Sequence, residues 1–172
     1  QENYGIKPNV FIFPRDYPGH LDVLRRNGFI AFRGPASQIL PYLESGSGIW
    51  NAIRKHVSLA ARFLSFYLAV PSLVDLREEH GLVNIPASLC YNKKRFMPLN
   101  AIISNAKKGI KKAIKERRIF HLYTHLLNFG DAPDPETFLN GFEEILSYAN
   151  SCRMANELEI TTIRAIAEMH IA

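Results

Sequence analysis

The sequence predicts an α/β chain built from parallel β/α units, a sheet or barrel with its helices outside. Three observations carry this. The strand-like runs are short and apolar on both faces, as in "NVFIFP" (9–14), "FIAFRGP" (29–35) and "GLVNIP" (81–86). Helical apolar spacing follows these runs. The alternation continues to the end, in the order β-α-β-α-β-α-β-α-β-α. With 172 residues, 47% apolar and 22% charged, the chain has the size and balance of one globular domain with its own core. It contains no linker, internal repeat or low-complexity segment, so residues 1–172 are read as a single domain.

The first strand, 9–14, is closed by Pro14. Residues 18–28 carry Leu21 and Leu24 and end on Gly28, a short helix with a glycine stop. The second strand ends at Gly34-Pro35. Pro41 and the "SGSG" of 45–48 make 36–48 a loop, and 49–70 reads as a long helix closed by Pro71. The third strand is 81–86. A helix follows over 100–118, with Ile103, Ala106, Ile110, Ala113 and Ile114 on its apolar stripe. "IFHLYTH" (119–125) is the fourth strand. Asp134-Pro135 opens a helix whose buried face is Phe138, Phe142, Ile145, Leu146 and Ala149. "LEIT" (158–161) is the last strand and "TIRAIAEM" the terminal helix.

Charge is uneven. The segment "KKGIKKAIKERR" (107–118) holds seven basic side chains against Glu116 alone, more than the whole net charge of +5. Such a run can contact phosphates. Its ordinary apolar stripe and the scarcity of interleaved aromatics favour a solvated helix face instead, with no nucleic-acid partner. Cys90 and Cys152 stand far apart without CxxC or Cys-His spacing, which argues against structural zinc and for two buried thiols. The longest apolar stretch, 59–70, contains Arg62 and is too short to span a bilayer. The chain opens on Gln1 with no basic-then-apolar leader, so it is read as processed or as a piece of a longer protein.

In parallel β/α folds, chemistry collects at the C-terminal ends of strands. Arg15 follows the first strand, Arg33 ends the second, Ser88 follows the third, and His125 and Asn128 close the fourth. His121 and His125 share a face whether 119–125 is helix or strand, so their spacing does not decide their role. As a strand, the segment puts His121 inside, where it packs or hydrogen-bonds internally, and His125 at the mouth, where it can reach a substrate.

"FIFPRDYPGHLDVLRRNGFIAFRGP", "FHLYTHLLNF" and "ILSYANSCRMANELEITTIRAIAE" together resemble the C-terminal half of a polysaccharide deacetylase, the NodB-homology type of carbohydrate esterase. The resemblance runs from about Val10 to Glu168. It implies part of a distorted, incomplete (β/α) barrel that removes acetyl groups from N-acetylated glycans with a divalent metal. Arg15 matches the arginine that orients the family's catalytic aspartate. His125 matches the general acid that protonates the leaving amine. Arg33, Ser88, Tyr123 and Asn128 are assigned to substrate binding. The family's leucine is replaced in Tyr123-Thr124-His125, Leu126 stands where many relatives have proline, and Asp16 where many have asparagine.

The family's aspartate pair and metal-binding His-x-x-x-His are absent. The chain has no Asp-Asp, and its one His-x-x-x-His is His121 to His125. No metal ligand is therefore assigned here. A zinc-like divalent ion is expected only in a complete barrel, formed with the missing N-terminal half or a second copy. Alone, the chain is expected to be an inactive hydrolase fragment. Enzymes of this type act both on cell-envelope polymers and on cytoplasmic sugar intermediates. Two other readings stay open. One is a non-catalytic carbohydrate-binding or structural remnant using Tyr17, Phe32, Trp50, Tyr91 or Tyr123 against sugar rings. The other is anionic-polymer binding through 107–118.

Overall fold

A computed structural model describes residues 8–34, 71–92, 98–130 and 132–172; the side chain of Arg15 is outside that set. The loop expected at 36–48 and the helix expected at 49–70, with Trp50, lie outside the described residues.

The described chain is mixed α/β. Strand β1 (Val10–Ile12) is followed by a 3-10 turn (Pro14–Asp16) and helix α1 (Leu21–Arg26). Then come β2 (Ala31–Arg33), β3 (Arg77–Glu79), β4 (Leu82–Asn84), β5 (Leu89–Cys90) and helix α2 (Leu99–Glu116). After α2 lie β6 (Leu122–Tyr123), α3 (Leu127–Gly130), α4 (Pro135–Met154) and α5 (Ile163–Ile171). A four-stranded sheet runs β1-β2-β4-β3, and β5 pairs with β6 in a second ladder. β1, β2 and β4 are parallel neighbours, as are β5 and β6.

β3 departs from the expected all-parallel pattern. It pairs antiparallel with β4 through a hairpin turned at His80 and Gly81, both at positive φ (53° and 71°). Two successive positive-φ residues give the primed turn whose twist suits a tight hairpin. β3 therefore occupies the place beside β4. Farther along, residues 119–123 take the equivalent place: Val74 bridges Ile119, and β6 lies beside β5. The parallel pairs are thus β1–β2 and β2–β4 in the four-stranded sheet, and β5–β6 in a separate ladder.

The expected strand at 158–161 does not form. Leu158 packs against the core, residues 159–161 are exposed, and the chain passes directly to Thr162, whose side chain accepts from the Ala165 N–H and caps α5. One apolar anchor and an immediate helix cap leave no residues for a ladder. The other helix starts follow local chemistry. Asp134 accepts from the Thr137 N–H with Pro135 at the first helical position. Gly28, at φ +83°, ends the turn after α1.

Core packing centres on α2 against α4. Ile102, Ala106, Ile110 and Ala113 of α2 are buried at helical spacing, and α4 buries Phe138, Ile145 and Ala149. Tyr91 joins them, fully buried, with its hydroxyl donating to the Phe138 carbonyl oxygen at 2.6 Å. Two smaller clusters hold the sheet, one around Ala31, Val83 and Ile85, the other around Phe13, Phe32 and Leu82. Cys90 and Cys152 are both free thiols; Cys152 is buried and Cys90 half-buried. Among the described residues, no helix is long and apolar enough to cross a membrane.

Candidate functional site

The C-terminal ends of β2 and β6 bring Arg33 and Tyr123 together. The Arg33 guanidinium lies 4.1 Å from the centre of the Tyr123 ring, close enough for a cation–π contact. Its Nε donates to Asp16 Oδ1 at 3.0 Å. Asp16 reaches that position from the turn after β1, with φ at +56°. Left-handed backbone is uncommon outside glycine, but aspartate tolerates it. The carboxylate offsets what would otherwise be a buried, uncompensated charge. The next strand end is also polar inside. Asn84 is buried, accepts from the Gly34 N–H at 3.0 Å and donates to Glu79 at 3.1 Å.

Burial pushes the Tyr123 hydroxyl up to about 12, helped by a hydrogen bond with Cys90, while Arg33 pulls the other way. Tyr123 is therefore a neutral phenol at physiological pH. The His125 ring meets the Tyr123 ring edge-on, with centroids 5.7 Å apart at 85°. His125 itself is exposed, just beyond β6, and its carbonyl accepts the Asn128 N–H where α3 begins.

His121 sits two residues before Tyr123 and is half-buried. Its Nδ1 lies 3.1 Å from the Pro86 carbonyl oxygen. A carbonyl only accepts, so Nδ1 carries the proton in the neutral ring. Burial lowers the His121 pKa below its ordinary 6.5; the Pro86 contact opposes this and Arg33 adds to it. The unfolded chain thus binds a proton that the folded chain resists. The stability this residue contributes is present above about pH 6.5 and lost as pH falls below that value. His121→Gln should flatten the stability curve between pH 7 and pH 5 in urea unfolding. An unchanged pH dependence would show that His121 does not contribute to it.

Ser88 and Asn128 hold backbone. Ser88 Oγ accepts from the His121 N–H at 3.1 Å, and Asn128 Nδ2 donates to the Tyr91 carbonyl oxygen at 3.3 Å. Thr124 donates to the same carbonyl at 2.8 Å. The Ser88 bond ties the start of β5 to the start of β6, and the two bonds to Tyr91 tie their ends. Arg15 lies in the turn after β1, beside Asp16. Of the sugar-stacking candidates, Phe32 and Tyr91 are buried, Tyr17 is exposed and Tyr123 is half-buried.

The structure therefore brings Arg33, Tyr123 and His125 into one row, and gives Ser88 and Asn128 structural bonds. Sequence reasoning missed Asp16 and Asn84 as members of the cluster. Asn84 had a visible signal, a polar residue inside an otherwise apolar strand. Asp16 had only its place next to Arg15. The basic run is partly paired: Lys107 with Glu144, and Arg118 with Asp75 and Glu116. A cavity of about 820 Å³ lies between α2, α4, α5 and residues 157–161. Its lining is mainly apolar, including Ile110, Phe120, Ile145, Leu158 and Ile163, and of the polar cluster it touches only His121. Among the described residues, no three His, Cys, Asp or Glu side chains form a group that could hold a metal ion. Comparison of the chain with family models, curated proteins and solved structures finds no match.

Proposed function

We propose that this chain is the glycan-facing, proton-donating half of an N-deacetylase for an N-acetylated polysaccharide or glycan, and that it is inactive alone. The observation that carries the reading is the row Arg33–Tyr123–His125 at the ends of parallel segments, 4.1 Å and 5.7 Å between successive groups. The parallel pairs β1–β2, β2–β4 and β5–β6 are of the kind a (β/α) unit builds, and they support the architecture that goes with this reading.

Amide hydrolysis needs an activated water, a base to take its proton, and an acid for the departing amine. In this class of reaction a divalent metal activates the water and polarises the carbonyl. In this reading that part belongs to the complementing half. This chain's share is the acid and the sugar contacts. His125, exposed at the mouth of β6, delivers a proton to the amine nitrogen. Tyr123, kept neutral, offers its ring and hydroxyl to the sugar. Arg33 is held under that ring by Asp16, and Arg15 stands on the adjoining turn.

Acetate release from an N-acetylated oligosaccharide tests this. The purified chain, with or without zinc, should release none. In a mixture where a complementing half restores turnover, His125→Gln should cost roughly 10²–10⁴-fold in rate. Metal-dependent acetate release by the chain alone would overturn the proposal. The second reading is a non-catalytic glycan binder. It predicts metal-independent glycan binding with no turnover under any complementation. Steep salt dependence of binding to random DNA would instead favour the basic face of α2.

A further inference from the structure

Arg33 is the one charged side chain buried among the described residues, at 5% exposure. Its contacts are incomplete. Nε donates to Asp16, and one face of the guanidinium covers Tyr123. The two terminal amino groups donate to no group among the described residues, although an arginine presents five N–H bonds in a fixed planar fork. Yet no fully buried side-chain nitrogen or oxygen among those residues lacks a hydrogen-bonding partner. The terminal amino groups must therefore reach the surface through the small exposed fraction of the residue.

A buried guanidinium whose one carboxylate among the described residues sits on Nε leaves its outer edge to a second acceptor. That edge presents parallel N–H bonds, which match the two coplanar oxygens of a carboxylate. A neutral amide offers one oxygen and satisfies half of the fork. Asp16 and Tyr123 fix the guanidinium plane beforehand, so little side-chain freedom is lost on binding. We infer that Arg33 is the receptor for a sugar carboxylate, which makes the substrate class an acidic, uronate-bearing N-acetylated glycan. This rests on the glycan reading above and deepens it.

Two oligosaccharides of equal length separate the possibilities by calorimetry on the full chain: one of N-acetylglucosamine only, one alternating N-acetylglucosamine with glucuronate. The acidic oligomer should bind at least about tenfold more tightly. Arg33→Lys keeps the charge but removes the fork, and should bring the two affinities together. Lys111→Gln with Lys115→Gln, on the basic face of α2, should leave the preference intact. Should Arg33→Lys fail to fold, ¹⁵N spectra of the unmodified chain decide: the Arg33 side-chain signals should move with the acidic oligomer and stay with the neutral one. Equal binding of both oligomers, or a preference abolished by the lysine substitutions, would overturn the inference and leave the glycan reading standing. Binding of neither would overturn both.

Discussion

Phe138→Ala should cost the fold about 3–5 kcal/mol, the range for truncating a fully buried phenylalanine. The ring is 1% exposed and lies 4.4 Å from the Tyr91 ring and 5.2 Å from that of Phe129. The residue also supplies the carbonyl that accepts the Tyr91 hydroxyl. Truncation keeps the carbonyl but removes the surface on which Tyr91 rests. Tyr91, whose hydroxyl burial pushes up to about 12, cannot ionise to follow solvent into the gap. Domains of this size are stable by only about 5–15 kcal/mol, so the loss takes a large share of the total. Urea unfolding followed by fluorescence measures it. A change below about 1 kcal/mol, less than a surface-to-core distinction requires, would mean that this cluster is not the centre of the fold.

The second large effect is expected at Gly109. A Cβ built there would lie 2.3 Å from the Phe120 ring, with two more ring carbons at 2.7 Å. Gly109 lies in the middle of α2, where alanine would ordinarily gain about 1 kcal/mol in helix propensity. Here the missing side chain lets the helix approach the start of the segment that becomes β6. Gly109→Val should therefore destabilise by about 2–3 kcal/mol, the upper part of the range for overpacking. Gly109→Ala should fall well below that, because its propensity gain offsets part of the clash. Adding Phe120→Leu to the valine variant should recover some of the loss. If valine is tolerated and the double variant is worse, the contact with Phe120 does not set the helix position.

The elements visible in the sequence were those fixed by their own neighbours. Asp134-Pro135 marks the start of α4 because the cap and the fixed proline φ act within one turn. The apolar spacing of Ile103, Ala106, Ile110, Ala113 and Ile114 gives α2 in the same way. β3 was not visible. "REE" has no strand pattern, and its pairing depends on two positive-φ residues of which only Gly81 advertises itself. β5 is two residues long and exists because β6 lies beside it, across the whole of α2. "LEIT", read as the last strand, pairs with no strand among the described residues.

The candidate site divides along the same line. Arg33 stood out as a polar residue ending an apolar strand, and Tyr123 and His125 as parts of a short motif. Their mutual arrangement needs β2 and β6 to end side by side, which no local spacing encodes. Asp16 as the partner of Arg33 needs a left-handed backbone seventeen positions away. The question of the two histidines turns on the backbone too. Extended conformation gives His121 a carbonyl partner inside the structure and leaves His125 in solvent.

The return path of α2 has an electrostatic consequence. Its 18 residues make a helix roughly 27 Å long, after which the chain enters β6. The basic run occupies the later part of that span, and the Asp16–Arg33 pair sits where the strands finish. Exposed charges on the helix face are felt over only about 8 Å at physiological ionic strength. The chain's positive field and its buried guanidinium act on different surroundings. Added salt weakens attraction to the helix face, while a ligand lodged against Arg33 is held by contact at short range. Excess positive charge on an exposed helix face can draw a polyanion toward the molecule without deciding what a buried guanidinium holds by contact.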